Sequence, residues 1–413
     1  MTRRLKPRLD KRSPPPRTQE LRRFLTLVWY DNLLIRKMRN LAKATIFIVC
    51  FLIAATVAIL VNLSAQSFAV TKIDFIGRAI FPTGSPFQGT EIGGLSGITY
   101  DAQKQVYYAI SDDRSSKAPA RFYTLKINNL QSGKLEKENI AFTGVTTLLD
   151  ENGKSFPNLS LDPEGITFTG NSVFVSSEGD VDRQIAPFIK EFSLDGKLLK
   201  TLPIPELFLP DDKGTKGIRN NLAFESLTLT PDRQYLFTAT ENAIVQDGAV
   251  PSVETGSPCR ILRYDAVSGN PDASFAYITE PLPAGANPVG KLTSNGLVDL
   301  LAIDDQRLLS LERAFSLETG ITVRLFEISL AKADRIEALE SLKNSPSEVS
   351  PAQKRLLLDL ETLKIPLDNI EGLTFGPALA DASRGLILVS DNNFSPLQET
   401  QILGFQIKVQ KTS

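Results

Sequence analysis

The chain has 413 residues, 42% of them hydrophobic, with 46 Lys/Arg against 47 Asp/Glu and no histidine. That is enough apolar residue for one large all-β domain, but it excludes Ser-His-Asp and Cys-His nucleophile systems, a histidine general base and histidine-ligated zinc. Cys50 stands in an apolar run and Cys259 alone in the rest of the chain, so no disulfide is available within the domain.

Charge is segregated. Residues 1–43 carry 13 Lys/Arg and 3 Asp/Glu, residues 44–69 carry none, and the remainder holds 33 basic and 44 acidic residues. So acidic a body suits cations and is a poor partner for nucleic acid. The basic tail, with Ser13-Pro14-Pro15-Pro16, has the composition of a weakly ordered segment. Residues 44–63 are broken only by Thr45, Thr56 and Asn62 and are long enough to span a bilayer. Their basic flank orients the N-terminus to the cytoplasm, which predicts a hydrophobic helix anchoring the domain in the membrane, outside the cytoplasm. The alternative is a signal: Met38, then Arg39 and Lys43, the apolar run and the small-x-small ending Ser67-Phe68-Ala69 would release a secreted or periplasmic domain.

Residues 71–410 form the expected domain. Residues 71–81 alternate as a strand. One phrase, an acid or Ser before a β-rich run, a turn, and a second run closing on an acid, then occurs five times. It reads Ser96-Gly97-Ile98-Thr99-Tyr100 to Ser111-Asp112-Asp113, then Asp162-Pro163-Glu164-Gly165-Ile166-Thr167-Phe168 to Glu178. The third unit runs from Glu225-Ser226-Leu227-Thr228 to Glu241-Asn242, the fourth from Val298-Asp299-Leu300 to Glu312-Arg313, and the fifth from Glu371-Gly372-Leu373-Thr374 to Asp391-Asn392-Asn393. Such a period in strand-only units predicts a β-propeller. Units one to four each hold four strands, the fourth with a polar, helical-looking insertion around residues 331–355. The fifth holds three, which the strand at 71–81 would complete by pairing with residues 401–407. The count is five blades; six, with a hidden unit near residues 206–222, is the alternative.

Antiparallel neighbours bring the start of one strand and the end of the next to the same face. One mouth of the channel should therefore carry a crown of carboxylates: Asp112, Asp113, Glu164, Glu178, Glu225, Glu241, Glu312, Glu371 and Asp391, with Asp299 the weakest member. Like charges so crowded need a cation or arginine. Oxygen ligands without His or Cys favour Ca²⁺, with Mg²⁺ as the alternative. The candidate catalytic groups are Glu164, Glu371, Asp391 and Arg313; Arg114, Arg219, Asn221 and Asn392 are candidates for holding a small-molecule phosphoester or other ester. The competing structural reading has the same acids capping turns and pairing with arginine to hold the ring together.

Several of these phrases resemble the family called esterase-like activity of phytase. They are Gly93-Gly94-Leu95-Ser96-Gly97, Ser111-Asp112-Asp113-Arg114, Asp162-Pro163-Glu164-Gly165, Arg219-Asn220-Asn221 with Glu225, Leu311-Glu312-Arg313, Glu371-Gly372 and Ser390-Asp391-Asn392-Asn393-Phe394, and the resemblance spans roughly residues 75–408. It implies a secreted or membrane-attached propeller with a phosphoesterase activity that calcium supports, and a six-bladed ring where the repeats count five. Two other functions fit the same residues. A metal-dependent lactonase-like propeller would use carboxylates with Asn220, Asn221, Asn242, Asn392 and Asn393; a non-enzymatic propeller would bind a ligand or partner.

Overall fold

The computed structural model describes residues 69–287, 293–343, 348–379 and 383–410, with four isolated residues between 29 and 49. Apart from those four residues, the apolar run 44–63 and the basic tail lie outside the described residues. Among the described residues no helix is long and apolar enough to cross a membrane.

The chain enters through β1 (Val70–Pro82) and a small hairpin of β2 (Pro86–Phe87) and β3 (Thr90–Glu91). Blade 1 is β4 (Leu95–Asp101), β5 (Val106–Ser111), β6 (Arg121–Ile127) and β7 (Ile140–Thr147). Blade 2 is β8 (Pro163–Phe168), β9 (Ser172–Ser177), β10 (Phe188–Ser193) and β11 (Leu198–Leu202). Blade 3 is β12 (Thr228–Leu229), β13 (Tyr235–Ala239), β14 (Pro258–Asp265) and β15 (Pro271–Ile278). Blade 4 is β16 (Ser294–Ala302), β17 (Arg307–Ser316), β18 (Gly320–Ser329) and β19 (Gln353–Asp359). Blade 5 is β20 (Asn369–Ala378), β21 (Arg384–Asp391) and β22 (Glu399–Val409), with β1 as the fourth and outermost strand of its sheet. β1 runs antiparallel to β22 from Val70 opposite Val409 to Pro82 opposite Glu399.

The innermost strands touch in the cyclic order β4, β8, β12, β16, β20 and back to β4. Five four-stranded sheets therefore surround one channel: an all-β, five-bladed propeller. The six-bladed alternative has no sheet among the described residues. Residues 206–222 contribute only a 3₁₀ turn at Glu206–Phe208, and Phe208 and Ile218 fill the wedge between blades 2 and 3. The main apolar core is five such wedges, one between each pair of neighbouring blades, because each sheet has two faces to bury, with a smaller cluster of Ala276, Ile336 and Leu342 besides.

The inner strands approach so closely that a Cβ on Gly97 would lie 2.6 Å from the Glu164 carbonyl oxygen. That is the physical reason for the acid-Gly or Ser-Gly pair in the repeated phrase. β4, β8 and β20 each also carry a register shift at that pair, and β16 one at Val298, beside Asp299, the kind of bulge that re-aims a side chain.

The helical reading of residues 331–355 is corrected. The described residues there form turns, then β19. Tertiary contacts take the backbone groups a helix would use: the buried Arg260 donates to the carbonyls of Ile336 (3.2 Å) and Leu339 (2.8 Å), and the Leu342 amide donates to Asp247 Oδ1 (2.8 Å). Arg260 and Asp247 are themselves a fully buried ion pair at 2.6 Å.

Candidate functional site

The N-terminal ends of the inner strands and the C-terminal ends of their neighbours surround a cavity of about 700 Å³ at one channel opening. Asp112, Glu164, Glu225, Glu371, Asp391, Arg114, Arg313 and Asn221 all line it, although they are drawn from every blade. Asp162 lines it too and was absent from the candidates. Its signal was its place two residues before Glu164 in Asp162-Pro163-Glu164-Gly165, the spacing at which strand side chains share a face.

Asp162, Glu164 and Glu178 form the tightest group: each offers a carboxylate oxygen, these lie within 4.8 Å of one another, and all three residues are buried. Burial first, then neighbouring acids, raises the pKa of Glu164, Glu178, Glu225 and Asp391 well above the ordinary carboxylate range. Burial likewise pushes Asp162 up to about 6, against the pull of Arg114, and Glu241 to about 7, against Arg313. Asp112 is pushed up to about 8 by burial and by Glu371, Asp162 and Asp113. Its Oδ1 is buried without a hydrogen-bond partner. A Cβ on Gly94, which sits at φ 64°, would fall 2.0 Å from that oxygen, so the backbone there must be glycine.

Two arginines answer this charge. Arg114 clasps Asp162, donating from Nε to Oδ1 at 2.8 Å, and reaches Asn221 Oδ1 at 2.8 Å. Arg313 donates from Nη2 to Glu371 Oε1 at 2.7 Å, while its Nε is buried with no partner. Burial disfavours the Arg313 cation, yet Glu371, Glu241 and Glu225 outweigh it and raise its pKa. Asn369, also outside the candidates, ties two acids together: its amide donates to Glu371 Oε1 (2.9 Å) and Asp391 Oδ2 (3.2 Å).

Six candidates do not line this cavity: Glu178, which belongs to the carboxylate group above, Glu241, and four that are each held by a local structural task. Asp113 accepts from Arg121 at 2.8 Å and from the amides of Ser116, Lys117 and Ala118. Those bonds lower its pKa although burial pushes the other way. Glu312 accepts from Tyr277, the Glu280 amide, Asn295 and Lys354. The guanidinium of Arg219 is bound to the carbonyls of Ala243 (2.9 Å) and Gly248 (2.7 Å). Asn392 accepts from the Gly94 amide (2.9 Å) and donates to Thr83 (2.7 Å), a clasp between chain segments. Asp299 lies in the channel wall, accepting from the amides of Leu300 and Leu373. Glu241 lines a second, adjoining cavity.

The donor set fits a hard divalent cation: clustered oxygens without nitrogen or sulfur, and an orphaned carboxylate oxygen nearby. A protein of Arthroderma benhamiae described as an uncharacterized secreted protein is 24% identical over 143 residues, 29% of this chain and 27% of that one. The chain thus spans about a quarter of that relative's length. Among solved structures, the Dos1 propeller gives a TM-score of 0.32 at 7% identity, covering 75% of this chain and 67% of that one. A GH43 protein from Bacillus licheniformis gives 0.37 at 9% identity, covering 72% and 48%. A family model does match most of the domain, over residues 90–394, and with its five-bladed ring and acidic mouth the chain belongs to that phytase-like family, esterase-like activity of phytase.

Proposed function

We propose that the mouth is the active site of a divalent-metal-dependent phosphoric-ester hydrolase. The observation that carries this is the group of Asp162, Glu164 and Glu178, buried and close together beside a cavity that also presents Arg114 and Arg313. These three carboxylates would hold Ca²⁺ or Mg²⁺, which when bound supplies positive charge to phosphoryl oxygens and acidifies a water. Arg114 and Arg313, on different blades, grip the phosphoryl oxygens; the free Nε of Arg313 gives it a donor not already committed to Glu371. Asp112, with its pKa pushed up to about 8, keeps a proton at neutral pH and can pass it to the leaving alkoxide. Glu371, held by Arg313 and Asn369, takes the proton from the attacking water, and Asp391 is tied to it through Asn369.

We further propose that the domain works outside the cytoplasm, held to the membrane by residues 44–63 or released by cleavage after them. The charge asymmetry of the first 69 residues supports this, as does the secreted description of the Arthroderma protein. A reporter fused after residue 70 should be active outside the cytoplasm; activity confined to the cytoplasm would reverse the orientation.

The hydrolase reading is tested by incubating the purified protein with phosphomonoesters, phosphodiesters and lactones, with Ca²⁺, with Mg²⁺ and with chelator. Cation-dependent phosphate release, lost in Glu164→Gln, is the expected result. Lactone opening without phosphate release would replace the reaction class, and no turnover under any condition would leave a binding propeller.

A further inference from the structure

A second cavity, of about 770 Å³, opens beside the first over blades 3 and 4, and Arg313, Ser294 and Asn221 line both. The two differ in chemistry. In the first, six carboxyl groups face two arginines; the second is lined largely by amides and an apolar edge, with two carboxyl groups, Asp182 and Glu241, and among the described residues no lysine lines either.

The second cavity presents acceptors. Asn242 is 2% exposed, and its Oδ1 has no hydrogen-bond partner. Its Nδ2 donates to the Asn295 carbonyl at 3.2 Å, which fixes the amide with the oxygen as the unused end. An orphaned buried acceptor is unfavourable, and a donor on a ligand would relieve it. The Asn295 amide nitrogen is already held by the Glu280 carbonyl (2.7 Å) and Glu312 (3.1 Å), so its Oδ1 is the end left for a ligand. Glu241 adds a carboxyl group to the same wall. On the other side stand Val250, 44% exposed, and Pro251. Arg219 steadies that segment through its bond to the Gly248 carbonyl, which gives the residue a positioning role.

We propose that this cavity binds the uncharged, hydroxyl-bearing body of a singly phosphorylated ester whose phosphate lies across Arg313 in the acidic mouth. The inference rests on the hydrolase reading above. Hydroxyl groups are the donors that buried amide and carboxyl oxygens lack, and the C–H faces of a polyol suit Val250 and Pro251. A second or third phosphate would meet surplus carboxylates with no further cationic side chain among the described lining residues, even with one divalent ion bound, and like charges in such a site oppose binding. The chemistry therefore selects against polyphosphorylated substrates.

The test compares three probes on the full chain with Ca²⁺: myo-inositol monophosphate, myo-inositol hexakisphosphate and phenyl phosphate. The monophosphate should exceed phenyl phosphate in kcat/KM at least tenfold, and the hexakisphosphate should fall below both. Asn242→Ala should reduce the tenfold preference towards one, mainly through KM. Because that site is buried, Val250→Trp, which fills the cavity from an exposed position, serves as a second variant with the same expected loss. Calorimetric titration with free myo-inositol separates the two readings. Inositol binding that Val250→Trp abolishes, with no ester hydrolysed, keeps the cavity and removes the hydrolase. Ester hydrolysis with equal kcat/KM for the inositol and phenyl esters, or with hexakisphosphate preferred, overturns the cavity proposal and keeps the hydrolase. Neither binding nor hydrolysis overturns both.

Discussion

The two openings of the channel are built from the opposite ends of the same inner strands, and they solve opposite problems. At the far opening Thr99 accepts from the Phe168 amide (3.0 Å), Thr167 from Leu229 (3.2 Å) and Thr228 from Ala302 (3.0 Å). Each bond joins one blade to the next with a neutral group. Blade 4 has Leu301 where the others have threonine, and there Asp299 makes the joint instead, accepting from the Leu373 amide of blade 5 at 2.8 Å. At the mouth, the same strands present carboxyl groups that burial and mutual repulsion drive towards the protonated form. The contrast teaches that the ring is held at one end by groups whose hydrogen bonds are complete. The acids at the other end also join blades, Asp162 to Arg114 and Glu371 to Arg313, but their crowding is a cost that a bound cation can relieve.

The largest effect should come from the outer edge, where both openings depend on the ring. Removing residues 70–82 takes the fourth strand from blade 5 and exposes the edge of β22 along its whole pairing. It also takes away the amide of Val70 that donates to the buried Glu327 (3.1 Å). Circular dichroism should show a chain without a cooperative melt. A truncated protein that melts as the full one does would show that the ring closes without β1.

Next in size is turnover at the mouth. Arg313→Lys keeps the charge but loses the planar pair of donors between Glu371 and the cavity. We expect kcat for a phosphoester to fall by about 10²-fold, the scale of one lost transition-state donor. Glu164→Gln removes a carboxylate from the proposed cation group. In the wild type, Ca²⁺ at a hundredfold excess over its dissociation constant should add about 2.7 kcal/mol of stability. Calorimetric melts of the variant should show that gain reduced, and a melt at least as stable as wild type in chelator. A variant that loses stability in chelator while keeping the gain would make Glu164 a structural acid like Asp299.

Much of this fold was legible in the sequence because the repeated phrase carries its own geometry. The acid-Gly or Ser-Gly pair marks where inner strands nearly touch, and the acid closing the second strand marks the shared rim. The site was legible only in part. Asp112 and Asp113 are adjacent, yet one faces the mouth and the other is locked onto Arg121. Glu312 and Arg313 are adjacent too, and the arginine took the channel side. The pleat alternates these neighbours, but bulges at the inner strands displace the register, so strand spacing alone cannot say which residue of a pair faces in. The bonds of Arg219 and Asn392 to residues distant in sequence leave no local sequence signal at all. Residues 331–355 misled for the same reason: Arg260, far away in the chain, decides what their carbonyls do.

A smaller effect should appear in the pH dependence. Asp112 is pushed up to about 8 and Glu241 to about 7, both above the ordinary carboxylate value near 4. The folded state therefore keeps protons that the unfolded chain releases at lower pH. The stability tied to them is fully present below about pH 4 and is lost as pH rises through about 8. Melts in chelator should fall across that window. A melting temperature that rises with pH in chelator would mean that these acids are already compensated within the protein.

The smallest effect should be at the far opening, and it separates the two ends most cleanly. Thr228 is buried, and its hydroxyl is the acceptor for the Ala302 amide. Valine has nearly the same shape, so Thr228→Val opens no cavity and removes only the acceptor. The orphaned amide should cost about 1 kcal/mol, within the range for an unmet buried group. Urea unfolding should show a lower midpoint with an unchanged slope. Because the change lies at the opposite ends of the strands from the carboxyl cluster, Ca²⁺ affinity and kcat should match the wild type. A loss of Ca²⁺ affinity comparable with that in Glu164→Gln would mean that the two openings are coupled through the inner strands and that joint and site are one device.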